Sequence, residues 1–193
     1  ESILSVLPLV NEMIVCIGDS EDDTTLLIES IKSDKIKIIY SVWDDSLRQN
    51  GKVLAVETDK ALAATAHDSD WLFYIQADEV VHDQYHATIL KAMELYSKEI
   101  RIIRNNKQIK SYWDAQGFRW LNNNKLKVKL IDAFIYHYGW VRNPLTMHQK
   151  AENFGKLWGG TQLIEKEIKE FCFDYSNIDT VTIFEGTHPA VMK

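Results

Sequence analysis

Nine consecutive residues, Trp71-Leu72-Phe73-Tyr74-Ile75-Gln76-Ala77-Asp78-Glu79, constrain this chain more than any other stretch, because an apolar run closes there on two adjacent carboxylates. An apolar run of that length needs burial on both faces, which a parallel sheet covered by helices supplies. Open sheets of that kind bind their ligands beyond the carboxyl ends of the strands. Asp78 and Glu79 therefore stand where chemistry is expected.

The residues ahead of this run alternate between helix and strand patterns. Ile3, Leu4, Val6, Leu7 and Val10 have helical spacing, and Met13 to Ile17 reads as a buried strand. The cluster Asp19-Ser20-Glu21-Asp22-Asp23 closes that strand and caps a helix predicted through Ile31, with Leu26, Leu27, Ile28 and Ile31 as its buried stripe. Ile36 to Val42 gives a second strand, followed by Trp43-Asp44-Asp45 and the polar turn Arg48-Gln49-Asn50-Gly51. Helices over Val53 to Thr65 and Asp83 to Tyr96 flank the opening run. Strands separated by helices imply right-handed crossovers and an α/β, Rossmann-type, three-layer α/β/α arrangement with a mostly parallel sheet. The chain opens directly on a helix, so the strand that this alternation expects ahead of it lies outside the sequence.

The second half reads differently. Ile100 to Arg104 is a strand candidate, Asp114 to Trp120 a Gly-containing aromatic turn, Lys125 to Tyr138 strand-rich, and Leu163 to Phe171 a charged helix. Together with the polar and aromatic stretch from Asn143 to Trp158, these make an irregular carboxyl-terminal lobe within a single domain spanning 1–193.

All three strand candidates of the first half end in acid: Asp19, then Asp44 with Asp45, then Asp78 with Glu79. Carboxylates gathered on one sheet edge repel unless a cation or hydrogen-bond donors intervene, which points to a metal-dependent site. Asp22, Asp23 and Asp44 read as caps of the following turns, and Asp78 as the functional acid. A net charge of -6 opposes general attraction to nucleic acid, so any phosphate site is local. Apolar stretches fall far short of the roughly 20 residues that span a bilayer, and no signal-peptide pattern opens the chain. The expectation is a cytoplasmic protein with no transmembrane segment, peripheral membrane association remaining open. Cys16 and Cys172 form neither a CxxC pair nor a disulfide framework and read as buried free thiols.

The succession of Met13 to Thr24, Ile36 to Tyr40, Asn50-Gly51-Lys52 and Asp70 to Glu79 resembles the family-two glycosyltransferases of the GT-A fold, over roughly the first half of the chain. In that family one strand ends in an Asp-Asp-Gly-Ser type loop and a later strand in Asp-x-Asp. The resemblance implies a nucleotide-sugar-binding half at 1–98 and an acceptor-side half at 99–193. It implies transfer of a sugar from a nucleotide-diphosphate donor to a hydroxyl acceptor, in cell-surface glycan biosynthesis. A divalent cation, Mg²⁺ or Mn²⁺, would neutralise the diphosphate through hard oxygen ligands.

Asp78 matches the family's metal-binding carboxylate, and Gln76 stands where the first Asp of the motif belongs, with Glu79 as a source of the missing charge. Ile17 and Gly18 occupy the leading Asp positions of the base-binding loop, so Asp19 becomes the nucleotide-site candidate. Arg48 and Lys52 are the nearest cations for a diphosphate. His137, in Tyr136-His137-Tyr138-Gly139-Trp140-Val141-Arg142, would be a further metal ligand. Trp113, Trp120, Tyr138 and Trp140 offer faces for sugar stacking. Asp114 is the candidate base, with Asp132 behind it, because no Glu-Asp pair occurs in the second half. His188, in Thr187-His188-Pro189, reads as structural or acceptor-side. The departures at Gln76 and Gly18 also admit a non-catalytic relative that binds nucleotide or glycan within a glycan-assembly complex. A phosphoacceptor receiver domain or a nucleotidyltransferase fits less well, given the aromatic second half and the lack of a glycine-rich phosphate loop.

Overall fold

The computed structural model describes residues 1–95, 101–139, 146–147, 150, 155, 168–169, 172–173 and 183–193. It is a mixed α/β fold. Helix α1 (Ser2–Val6) continues into a 3-10 turn at Leu7–Leu9, and β1 (Met13–Gly18) follows. After α2 (Thr24–Glu29) comes β2 (Ile36–Ser41), parallel to β1 with Met13 opposite Ile36 and Gly18 opposite Ser41. Helix α3 (Lys52–Ala63) starts from a left-handed turn in which Asn50 has φ 55° and Gly51 φ 66°. It packs on β1 through Glu57, whose Oε2 accepts from the Cys16 thiol at 3.6 Å while Oε1 accepts from Lys60 at 2.7 Å.

The opening run does not continue as one strand. It gives β3 (Trp71–Phe73), an irregular turn, and then β4 (Glu79–Val81). Helix α4 (His86–Leu95) follows a 3-10 turn at Asp83–Tyr85 and leads by way of 96–100, outside the described residues, to β5 (Ile102–Arg104). β5 runs antiparallel to β3, pairing Trp71 with Arg104. β6 (Ile109–Tyr112) and β7 (Gly117–Trp120) form a hairpin around Asp114, and β8 (Ile135–His137) pairs antiparallel with β4 so that His137 lies opposite Glu79.

The mostly parallel sheet expected from the alternation is seen in part among the described residues. The described strands form five separate pairs, of which only β1 with β2 is parallel. The direction of the third strand agrees with the expectation, since β1 and β3 start at the same end. Glu12 Oε2 accepts from the Ala66 amide at 3.0 Å, the Ala66 carbonyl accepts from Asn105 Nδ2 at 3.0 Å, and the Asn105 amide donates to the Asp70 carbonyl at 2.9 Å. Two further expectations give way. Leu26 and Leu27 of α2 are 65% and 66% exposed rather than buried, and Ile168–Lys169 (β9) pairs with Cys172–Phe173 (β10) where a helix was predicted. Of 125–138, only Ile135–His137 is strand.

Period-two alternation in the opening run serves two clusters. Trp71, Phe73 and Ile75 pack with Val6, Leu9, Val81, Ile89 and Ile102, whereas Leu72 and Tyr74 pack with Leu62, Ile103, Ile109 and Phe118. Apolar material thus lies on both faces of the run, as its composition requires.

Candidate functional site around Asp78

The site begins where the apolar run turns. The Glu79 amide donates back to the Gln76 carbonyl at 3.1 Å, and this bend separates the two neighbouring acids. Glu79 is 4% exposed and points inward, its Oε1 bound by Arg101 at 2.5 Å and its Oε2 by the Gln76 amide at 2.9 Å. It therefore supplies no charge to a ligand, which corrects the expectation that it would. Gln76 borders the cleft, and its own groups are engaged: Nε2 donates to the Tyr74 hydroxyl at 3.2 Å, and the carbonyl accepts from Ser2 at 2.9 Å.

Asp78 faces a large cleft, of ≈ 2270 Å³, bordered by the whole of β1 and by 70–78. Its Oδ2 accepts from Lys150 Nζ at 2.9 Å and lies 3.3 Å from His137 Nε2. The pairing of β4 with β8 places His137 there, and the Tyr138 amide donates to the Asp78 carbonyl at 2.8 Å. Lys150 Nζ also donates to the Gly139 carbonyl at 2.8 Å. Gly139 leaves the room this requires, since a Cβ there would meet Asp78 Oδ2 and lie 2.6 Å from Lys150 Nζ and 2.7 Å from His137 Cε1. Burial pushes the Asp78 carboxyl upward, but the Lys150 hydrogen bond and charge, with His137, outweigh it and hold the group below its ordinary value.

Asp19, Arg48, Gln76, Asp78, Asp114 and His137 all border this one cleft. Asp78, His137 and Lys150 are in direct contact. Asp19 is exposed at the lip, and Arg48 pairs with Asp45 at 2.6 Å with its guanidinium 5.6 Å from the Trp43 ring. Asp114 is 8% exposed in the β6–β7 turn, between Trp113 and Ala115, whose φ values of 57° and 63° are left-handed. Two non-glycine residues in that region mark a turn held by its surroundings.

Other candidates fall elsewhere. Trp113 is 59% exposed and does not border the cleft, nor does Lys52. Trp140 lies outside the described residues. Tyr138 donates to or accepts from His188 Nδ1 at 2.7 Å and stacks on Tyr136 at 6.5 Å, so both belong to an aromatic cluster beside the site. Asp22 and Asp44 are caps: each accepts from the amide two residues on, at 2.9 Å. The Ser20 hydroxyl and Thr24 bring the Asp22 carboxyl down to about 2. Burial and the Glu57 carboxylate push the Cys16 thiol up, in keeping with an inert half-buried thiol.

Lys150 is the residue that sequence reading missed. It sits in a stretch without periodicity or motif, 72 positions from its partner, and nothing local to it announces the pairing. Among the described residues no three His, Cys, Asp or Glu side chains gather as a metal-binding group, and no helix is long and apolar enough to cross a membrane. No family model matches the chain, and no curated protein matches it.

Proposed function

We propose that this chain is a glycosyltransferase of GT-A type, moving a sugar from a nucleotide-diphosphate donor to a hydroxyl acceptor in cell-surface glycan assembly. The observation that carries the reading is Asp78. It is a half-buried carboxylate held below its ordinary pKa, in the turn between β3 and β4, with His137 and Lys150 on one oxygen and Asp19, Arg48 and Gln76 along the same cleft. Such a cleft suits a ligand with a polar, multiply charged centre.

Asp78 would give Mg²⁺ or Mn²⁺ the hard oxygen such ions take, and His137 beside it an imidazole nitrogen, which Mn²⁺ accepts more readily than Mg²⁺. The pair fits a cation that draws its remaining ligands from diphosphate and water, provided Lys150 releases Asp78 Oδ2. When bound, such a cation would neutralise charge on the departing diphosphate. Lys150 and Arg48 offer fixed positive charge to the same oxygens. Asp114, held into the cleft by its turn, would accept the acceptor hydroxyl proton as the new bond to the sugar carbon forms and the bond to the diphosphate breaks. Trp113 and Trp140 remain the sequence's candidates for sugar stacking.

A second reading, a non-catalytic nucleotide- or glycan-binding relative, draws support from Lys150 itself, because an ammonium already satisfies the acid a metal would need. Calorimetry separates these readings: uridine, guanosine, cytidine and thymidine diphosphates and their sugars are titrated with Mn²⁺ or with chelator, into wild type and Asp78→Ala. Binding that Asp78→Ala weakens at least about tenfold, with donor turnover, is the expected result. Binding without turnover selects the second reading, and binding unaffected by Asp78→Ala removes Asp78 from either.

A further inference from the structure

We propose that the cleft is also the seat of a β-strand, an extended apolar stretch of this polypeptide that runs parallel to β1, lies between β1 and 71–75, and leads directly into Glu1.

Backbone chemistry is the first argument. β1 pairs with β2 along one edge, and among the described residues its other edge has no backbone partner. On the opposite wall, the Asp70 carbonyl accepts from Asn105 at 2.9 Å and the Tyr74 amide donates to Arg101 at 2.8 Å, so even-numbered residues turn toward β5. Strand alternation then aims the N–H and C=O groups of Trp71, Phe73 and Ile75 into the cleft. Two facing rows of unpaired main-chain groups are costly to bury and open to any extended chain. One strand between them satisfies both rows at once, which a compact small ligand does not.

Burial and size agree. Of Met13–Gly18 and 71–76 only Ile17 is buried, although apolar clusters lie on both faces of 71–75. The exposure comes from the cleft side. From strand spacings of about 4.8 Å in the sheet, 10 Å through it and 3.3 Å along it, each residue occupies about 160 Å³, and seven residues about 1100 Å³. That is near half of the ≈ 2270 Å³ cleft, leaving its carboxyl-end mouth to Asp78 and Asp19.

Direction follows from α1. Ser2 Oγ donates to the Gln76 carbonyl at 2.9 Å, which sets the start of α1 at the carboxyl end of 71–76, and Glu1 and Ser2 both border the cleft. A strand reaching Glu1 by the short path leaves the cleft at that end. It therefore runs with β1 and β3, which start together at Glu12 and Asp70. Facing apolar clusters on both sides, its residues are Val- and Ile-rich at odd and even positions alike.

The test extends the full chain at Glu1 with seven residues rich in Val and Ile, beside the unextended chain and a control carrying Pro at the centre of the extension. Amide hydrogen exchange is read at Met13–Ile17 and Trp71–Ile75, with far-UV circular dichroism for overall folding. The extension is expected to slow exchange on both edges by about 100-fold, and the Pro control to abolish the gain. Folding of the extended chain alone, where the other two are unfolded, supports the proposal equally. Unchanged exchange on extension, or an extension that fails to order an unfolded chain, overturns it. Equal protection of both edges in the unextended chain also overturns it; if that protection rises with concentration alongside a dimer, the seat belongs to a second copy.

Discussion

Removing Arg101 tests the claim that the two adjacent acids have separate jobs. Glu79 is 4% exposed, and its two donors are Arg101 at 2.5 Å and the Gln76 amide at 2.9 Å. At an effective dielectric of about 20, unit charges about 4 Å apart attract by about 4 kcal/mol, most of which desolvation cancels while the pair is intact. Arg101→Met deletes the guanidinium, whose central carbon also lies 5.3 Å from the Tyr74 ring centre, and leaves Glu79 buried with one donor. Breaking a buried pair in this way costs about 3–5 kcal/mol. Two features set the expectation at the low end, about 3 kcal/mol. The Arg101 side chain is 29% exposed, so water reaches the gap, and its second guanidinium nitrogen is already buried without a partner. For a chain of this length that corresponds to a drop of about 6–12 °C in Tm. Urea and thermal unfolding followed by tryptophan fluorescence measure it. Glu79→Met combined with Arg101→Met should regain most of the loss, because an apolar pair has nothing left to neutralise. Asp78→Asn, by contrast, should cost less than Arg101→Met, since Asp78 is more exposed than Glu79 and the amide keeps an oxygen acceptor for Lys150. A stability for Arg101→Met within about 1 kcal/mol of wild type would refute the assignment of Glu79 to the interior.

Gly139→Ala pushes a methyl between Asp78, Lys150 and His137 without removing any of them, and calorimetric affinity for nucleoside diphosphate should fall about tenfold with the fold retained. The Asp78 carboxyl titrates below its ordinary value, so its contribution to stability is present above the unfolded carboxyl pKa of about 3.9 and is lost as pH falls through the lower folded value. Lys150→Met should move the Asp78 titration upward by carbon-detected NMR and flatten that acid limb; it should also strengthen Mn²⁺ binding by freeing Oδ2. Asp114→Asn should lower sugar transfer by about 100-fold or more while leaving donor affinity unchanged, as expected of a base; an unaffected rate removes Asp114 from the chemistry.

What was legible in the sequence is what local pattern encodes. Met13–Gly18, Ile36–Ser41 and Lys52–Ala63 lie within a few residues of their expected bounds, because apolar period and turn residues act over short range. Partner choice is set by distant residues. Nothing near Trp71 announces that its strand pairs with Ile102–Arg104, and nothing near Asp78 announces Lys150. The exposed stripe of α2 shows the reverse error: Leu26 and Leu27 have the periodicity of a buried face without a neighbour to bury it among the described residues. Adjacency misled in the same way. Asp78 and Glu79 are neighbours in sequence, yet the bend closed by the Glu79 amide on the Gln76 carbonyl turns one into the cleft and the other into the interior.

The local fate of each acid changes what the acidic strand ends mean. Read from sequence, they were unpaired charges gathering on one edge and requiring a cation. In the structure Asp22 and Asp44 bind amides, Asp45 binds Arg48, Glu79 binds Arg101 and Asp78 binds Lys150. Repulsion is relieved pair by pair, so the argument for a metal no longer rests on crowding of charge. It rests on a competition at one oxygen, where Lys150 holds Asp78 Oδ2 and a divalent ion bringing diphosphate would have to displace it. Such an exchange conserves positive charge beside Asp78 and frees an ammonium for the diphosphate. The lysine that weakens the case for a resident metal thereby strengthens the case for an anionic ligand.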